Sequence, residues 1–240
     1  MTDNIIPIQQ IVNASLTEER KDPYEINSWH SSKIGRCLRG VYLERLGIKP
    51  DEEFDERTLR VFDVGKILEK WFIDRIKKNK EIKIETQVRV ESKELDLSGY
   101  VYFVAEYEGM KRVYEVKSKH SRAFWYMRDK GEGAMRQHMY QIWIYLYLSG
   151  IKDGSIVYIS KDDLSLLEYP VSLENEELKK EVLDRISLLN ECWKNRTFPP
   201  MAEKKSWQAK YCRWHKTCQE IEKSQQTGVD AFLKSRNYKR

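Results

Sequence analysis

The chain has 240 residues, enough to bury one substantial core without a second domain, and its 40% apolar and 34% charged content exclude a disordered or membrane-spanning protein. Forty-three basic residues against 38 acidic ones give a formal net charge of +5, which favours a polyanionic partner only modestly. The longest apolar stretch, Ile142 to Leu148, is too short to span a bilayer, and MTDNIIPIQQ at the N-terminus has no secretory pattern, so a cytoplasmic address is expected. In a reducing compartment the four cysteines read as buried thiols or metal ligands, not as a disulfide framework.

Residues 1–23 are polar and weakly periodic and predict a flexible arm. Capping side chains at Asn27, Ser28, Ser31 and Ser32 precede Lys33 to Leu46, where Ile34, Cys37, Val41 and Leu46 predict a helix stopped by Gly47. Leu59 to Lys78 repeats the helical spacing. The period then changes. Glu85 to Val90, Leu95 to Tyr107 and Lys111 to Ser118 alternate and are rich in β-branched and aromatic residues, with Glu108-Gly109 as a hairpin turn. Met135 to Leu148 predicts an apolar helix closed by Ser149-Gly150, and Ser155 to Ser160 a short buried strand. A long amphipathic helix over Leu173 to Asn195 ends at Phe198-Pro199-Pro200. This order predicts an α/β fold with a central mixed sheet flanked by helices, in one domain over 24–218 followed by a charged tail, 219–240.

Within the strand, Glu115 and Lys117 share one face and can converge on one bound atom. A carboxylate there can hold a divalent ion, and an ammonium can orient water or steady phosphate charge. Alternating Glu and Lys is also a common charge device on a solvated strand face. His138, Gln141 and Tyr145 fall on one side of the helix that follows, and Gly65 and Glu69 lie one helical turn apart upstream. Each has an ordinary alternative: a half-buried core tyrosine, a satisfied histidine, an exposed glutamate paired with a lysine.

The succession Gly65-xxx-Glu69, Leu97-Ser98-Gly99-Tyr100-Val101, Glu115-Val116-Lys117 and Gln141-xxx-Tyr145 resembles the RecB-type branch of the PD-(D/E)XK nucleases, from about Ser32 to Cys218. The resemblance implies a restriction-endonuclease-like core and a DNA substrate. It also implies metal-binding roles for Glu115 and Glu69 with Mg²⁺ or Mn²⁺, a water-organising role for Lys117, and support of the site and DNA backbone by Gln141 and Tyr145. Glu69 stands where the family usually has histidine, and Tyr102 stands where it places a metal-binding aspartate. A phenol is a poor ligand for a hard divalent ion. Asp96 and Glu106 share the parity of Tyr102 but lie about 20 Å and 13 Å away along a strand.

The segment from Trp207 to Cys218, with Cys37, resembles the C-terminal clasp of the iron-sulfur RecB-type nucleases, including exonucleases of CRISPR adaptation. By that resemblance Cys37, Cys212 and Cys218 are cluster ligands, and the fourth position is Ala209. An iron-sulfur cubane takes four thiolates, so Cys192 is the remaining candidate, although helix core is its ordinary role. A Zn²⁺ site from Cys37, Cys212, His215 and Cys218 is the alternative.

Three functional readings follow: a metal-dependent deoxyribonuclease, a non-catalytic DNA-binding descendant, and a cluster-bearing adaptor subunit of a repair, recombination or viral replication complex. The expected partner is DNA that is single-stranded or has free ends, and no membrane is expected. The basic residues between Lys111 and Arg136, interleaved with Phe124, Trp125 and Tyr126, would supply contacts, unless those aromatics are core residues.

Overall fold

The alternating run Leu97–Tyr107 forms β3, about which the sheet is organised in a computed structural model that describes residues 8–18, 26–203, 206, 209, 211–223 and 228–236. The other strands are β1 (Trp29–His30), β2 (Lys83–Ser92), β4 (Met110–Lys119), β5 (Asp153–Ser160) and β6 (Leu166–Ser172). Their order is β1-β3-β4-β5-β6, with β2 paired to β3. β2 and β4 run antiparallel to β3, β1 runs parallel to it, and β4 and β5 are parallel. A parallel pair needs a crossover. Two helices supply it, α4 (Ser121–Asp129) and α5 (Arg136–Ser149).

β2 occupies one edge of β3 from Leu97 to Glu106. The opposite edge is divided, because β1 pairs with Leu97 and Ser98 while β4 pairs with Phe103 to Tyr107. Between them Gly99 to Tyr102 have no strand beside them, and β4 leaves β3 after Phe103↔Tyr114 to continue against β5 as far as Lys119. The sheet forks there. At the base of the fork the Phe103 and Tyr114 rings stack at 4.8 Å with an interplanar angle of 3°. Across β3, the Thr86↔Phe103 and Val88↔Val101 pairs place Gln87 opposite Tyr102, with a φ of 55° in the left-handed region. Such a conformation is strained for a non-glycine residue and bends the strand beside the fork.

α3 (Glu56–Ile76), capped by Asp55 accepting from Thr58 N at 2.8 Å, covers one face of the sheet. Its Ile73 is buried with Phe103, Val116, Val157 and Ile159. α5 covers the other face, burying Ile142 and Leu146 against Val113 and Ile156. It is apolar on nearly every side because α6 (Glu176–Asn195) packs behind it through Val182, Ile186 and Leu189.

The helix expected over Lys33 to Leu46 is divided into a 3-10 turn, Ser31–Lys33, and α2 (Leu38–Arg45). Gly35 lies against α5 so closely that a Cβ there would sit 2.5 Å from Gln137 Cα, and the chain turns at this contact. Within the expected arm, residues 8–18 form α1 (Ile8–Glu18), whose Asn13 accepts a hydrogen bond from Arg60. The sequence patterns did not predict α4 or β6. β6 carries Pro170 on an edge strand, where a missing N–H is tolerated.

The C-terminal helices α7 (His215–Lys223) and α8 (Val229–Ser235) return to the start of the domain. Trp214, Cys218, Ile221 and Phe232 form a separate core with Leu43 and Ile48. Asp51 caps α7, accepting from Lys216 N at 2.6 Å, Thr217 N at 3.1 Å and Thr217 Oγ1 at 2.6 Å. Among the described residues no helix is long and apolar enough to cross a membrane. Loss of an N-cap costs about 1–2 kcal/mol. Asp51→Ala is therefore expected to lower the urea midpoint of unfolding, with Asp51→Asn retaining most of the stability; equal midpoints for wild type and the alanine variant would exclude the capping role.

Candidate active site at the fork of the sheet

The fork brings the strand pair Glu115 and Lys117 into the interior. Glu115 is 4% exposed, and its Oε1 accepts from Lys117 Nζ at 2.5 Å. Among the described residues its Oε2, also buried, has no hydrogen-bond partner. An unsatisfied buried acceptor costs roughly 1–3 kcal/mol, and more when charged. The ammonium compensates only one oxygen. The other is left uncompensated among the described residues.

Glu69 approaches from α3, where Gly65, one turn earlier, packs over β4: a Cβ at Gly65 would lie 3.4 Å from Ser118 Oγ. Burial raises the Glu69 carboxyl above the ordinary carboxylate range; Lys117 opposes that rise and Glu115 adds to it, so the three groups share one field. Tyr102 belongs to the same field. Burial raises its phenol, and the negative charges of Glu69, Glu115 and Asp74 raise it further, so it stays neutral and can donate a proton in a hydrogen bond. Neither alternative carboxylate reaches the fork. Asp96 is paired with Arg45 at 2.5 Å, and Glu106 with Lys83 at 3.2 Å and Lys111 at 3.6 Å.

α5 closes the site from the other face. Gln141 Nε2 donates to the Tyr145 hydroxyl at 3.0 Å, and both side chains are buried. Burial raises the Tyr145 phenol and the Glu115 charge raises it further. Gly99 makes room for it: a Cβ there would lie 2.9 Å from Tyr145 Cε1 and 2.7 Å from Ser31 Oγ. His138 is neutral, its pKa held well below the usual value by burial and by Lys117, Lys119 and Arg36. Its Nδ1 is 2.7 Å from the Tyr158 hydroxyl, which also accepts from Met135 N at 3.1 Å. Sequence reasoning missed Tyr158. It lies opposite Lys117 in the parallel β4 and β5 pair, a placement visible only once the register is known.

The cysteines form a second cluster, away from the fork. The Cys37 thiol hydrogen-bonds to Cys212, and Cys212 to Cys218. Gly40 lies between the first two, since a Cβ there would be 3.7 Å from Cys212 Sγ and 3.9 Å from Cys37 Cβ. The Cys37 and Cys212 thiols are both raised, each first by a thiol hydrogen bond, to Cys212 and to Cys218 respectively, and then by burial. Cys192 stands apart at the end of α6, hydrogen-bonded to Thr197 within the main core, and exposed His215 bonds to Gln219 at 2.8 Å. Ala209 occupies the fourth position, and Trp207 and Gln208 lie outside the described residues. Among the described residues no group of three or more His, Cys, Asp or Glu side chains is arranged to hold a metal ion. Four thiolates for a cubane are not assembled among them.

No family model and no curated protein sequence matches the chain. Solved structures do. The crystal structure of SSO0001 superposes with a TM-score of 0.54 at 21% identity, covering 88% of this chain and 96% of that one. The alkaline exonuclease LHK-Exo from Laribacter hongkongensis superposes with a TM-score of 0.52 at 11% identity, covering 78% of this chain and 95% of that one. LHK-Exo in complex with dAMP gives a TM-score of 0.52 at 12% identity, over 71% of this chain and 92% of that one. The chain has the fold of an alkaline exonuclease. The central mixed sheet flanked by helices, expected from the sequence, is that fold.

In this exonuclease fold Gly99 is a position where even one methyl group displaces a buried aromatic ring and a serine hydroxyl. Overpacking a core site costs about 1–3 kcal/mol. Gly99→Ala is expected to lower the melting temperature and move the Tyr145 ring resonances in an NMR spectrum; unchanged Tyr145 signals would show that the strand accommodates the methyl elsewhere.

Proposed function

We propose that the chain is a divalent-metal-dependent deoxyribonuclease of the RecB-like PD-(D/E)XK type, hydrolysing phosphodiester bonds at the fork. The observation that carries this reading is the buried Glu115 carboxylate, with one oxygen held by Lys117 and the other without a partner among the described residues. Glu69 adds a second carboxylate in the same field. Mg²⁺ is commonly bound through one or two carboxylates together with substrate phosphates, so Glu115 and Glu69 fit Mg²⁺ or Mn²⁺ as a minimal set. Such an ion supplies Lewis-acid polarisation of the phosphodiester when bound.

The protein's own groups do the rest. Lys117, which has donors beyond the one it gives to Glu115, orients the attacking water or steadies charge on the phosphate. Tyr145, fixed by Gln141 and by the space at Gly99, supports the Glu115 side of the fork from within the core. Tyr102 contributes a neutral hydroxyl where a third carboxylate would increase the negative charge. DNA as the substrate is supported by the fold neighbour that is an alkaline exonuclease and by its complex with dAMP. Tyr102 also favours a second reading, a DNA-binding descendant without catalysis.

The cysteines enter this reading as a structural site. Among the described residues Cys37, Cys212 and Cys218 are not arranged around an ion, and structural Zn²⁺ takes four protein ligands as a cubane takes four thiolates; with Cys192 in the main core, zinc is the metal this segment could complete, by closing the three thiols and His215 around it. Metal analysis of the purified protein is expected to return zinc and a colourless solution. Stoichiometric iron with broad visible absorbance would establish a cluster, and the absence of both metals would leave three structural thiols.

Nuclease activity is expected to be weak with Mg²⁺ and stronger with Mn²⁺, because Mg²⁺ is the less tolerant of incomplete octahedral coordination. Glu115→Ala and Lys117→Ala should each reduce cleavage by about a hundredfold or more. Tyr102→Asp should raise Mg²⁺-dependent cleavage by completing the carboxylate set. DNA binding that persists while neither wild type nor Tyr102→Asp cuts with either metal would establish the non-catalytic reading. The raised Glu69 carboxyl has a pH consequence. A carboxyl with an elevated pKa is protonated earlier as pH falls, so metal affinity should begin to weaken above the ordinary glutamate value of about 4.3. Glu69→Gln should remove that limb of a metal titration followed against pH.

A further inference from the structure

Beyond Lys117 the same face of β4 leads to Lys119, about 7 Å further at the usual rise of a strand. Lys119 is held in place, with Nζ 3.0 Å from Met135 Sδ and 5.4 Å from the centre of the Tyr158 ring. It forms one wall of a cleft of about 510 Å³ between the end of β4, α4 and the loop before α5, lined also by His120, Arg122, Tyr126, Glu132 and Met135. That volume lies within the range of sites that take a small organic group.

The cleft has a rigid support. Phe124 and Met127, 1% and 5% exposed, seat α4 in the core, while Tyr126 from the same helix is 53% exposed. The N-terminus of α4 already has acceptors of its own. Ser121 N donates to Asp162 Oδ2 at 3.0 Å and Ala123 N to His120 Nδ1 at 3.3 Å, so an anion in the cleft would be met by side chains. With Nδ1 accepting, the neutral His120 ring carries its proton on Nε2 and is a donor there. Three nitrogen-bearing side chains, Lys119, His120 and Arg122, therefore line the same cleft as the half-exposed Tyr126, with Glu132 the single carboxylate in the lining.

We infer that this cleft binds an unpaired nucleotide of the DNA strand whose phosphate lies at Lys117, with the base stacked on Tyr126 and the neighbouring phosphates contacted by Lys119 and Arg122. This deepens the nuclease reading and rests on it. A paired base presents its faces to its neighbours in the stack, so an exposed aromatic ring in the lining of a basic cleft selects single-stranded ends over blunt duplex.

Binding is measured by fluorescence anisotropy in a Glu115→Gln background, so that cleavage does not intervene. The probes are a labelled single strand of about ten nucleotides, the scale of a short single-strand site, and a blunt duplex of the same sequence. Tyr126→Ala should weaken single-strand binding by about tenfold, Tyr126→Phe by no more than about twofold, since stacking needs the ring and not the hydroxyl. Arg122→Glu should weaken it by about tenfold and flatten its salt dependence. Blunt-duplex binding should change by no more than about twofold with any of these. Both aromatic substitutions lie on a half-exposed position, and circular dichroism checks that the fold is retained. Single-strand affinity unchanged by Tyr126→Ala and Arg122→Glu overturns the assignment, as does an equal loss for duplex. In either case, loss of cleavage by Glu115→Ala would leave the nuclease reading standing. A wild-type chain that neither binds nor cuts DNA overturns both.

Discussion

The site depends on β4 parting from β3 beyond the Phe103↔Tyr114 pair. Phe103 and Tyr114 stack at that point, and beyond it the two strands take different partners, β4 continuing along β5 while β3 turns towards β1. A continuous sheet would set Tyr102 directly across from Glu115 and fill the space between them with ladder hydrogen bonds. Because the strands part, side chains from helices on both faces of the sheet reach the same volume, Glu69 from α3 and Tyr145 from α5. Burying a carboxylate is costly, and an ion pair offsets that cost only where its geometry is good. At Glu115 one oxygen is so compensated and, among the described residues, one is not, so the pair offsets only part of the cost of burying that carboxylate.

Much of this was legible in the sequence as spacing. The shared strand parity of Glu115 and Lys117, the one-turn interval of Gln141 and Tyr145, and the turn from Gly65 to Glu69 are local properties, and the structure brings all five polar side chains to a common region. What was not legible is non-local. Tyr158 stands near the site because β5 pairs in parallel with β4 at one register, and no local pattern encodes that register. The helix expected from Lys33 was divided by the approach of Gly35 to Gln137, a contact between segments a hundred residues apart. Cys192 looked eligible as a ligand by residue type alone, whereas its place at the end of α6 puts it in the main core.

Tyr102 gives the fork a neutral polar group beside its carboxylates. Its ring packs on the α3 face, near Phe103 at 5.9 Å, and its hydroxyl lies in the field of the Glu69 and Glu115 carboxylates and of Asp74. A third carboxylate would raise the repulsion that a cation must neutralise; a phenol lowers it and offers a hydrogen bond instead. A neutral phenol thus adds less repulsion to the fork than a carboxylate in its place would, and less attraction for a cation.

The capping of α7 by Asp51 joins residues separated by 166 positions in the chain. During synthesis the strands of the fork leave the ribosome long before α7 does, and Leu43 of α2 and Ile48 beyond it meanwhile lack the Trp214 and Ile221 that cover them. Domains generally fold as units, and contacts of such long sequence separation form late. The domain therefore completes its fold only after the C-terminal segment is released. A nascent chain that stalls before residue 217 would display an apolar surface to chaperones and proteases, so translation itself sets the moment at which a finished molecule appears.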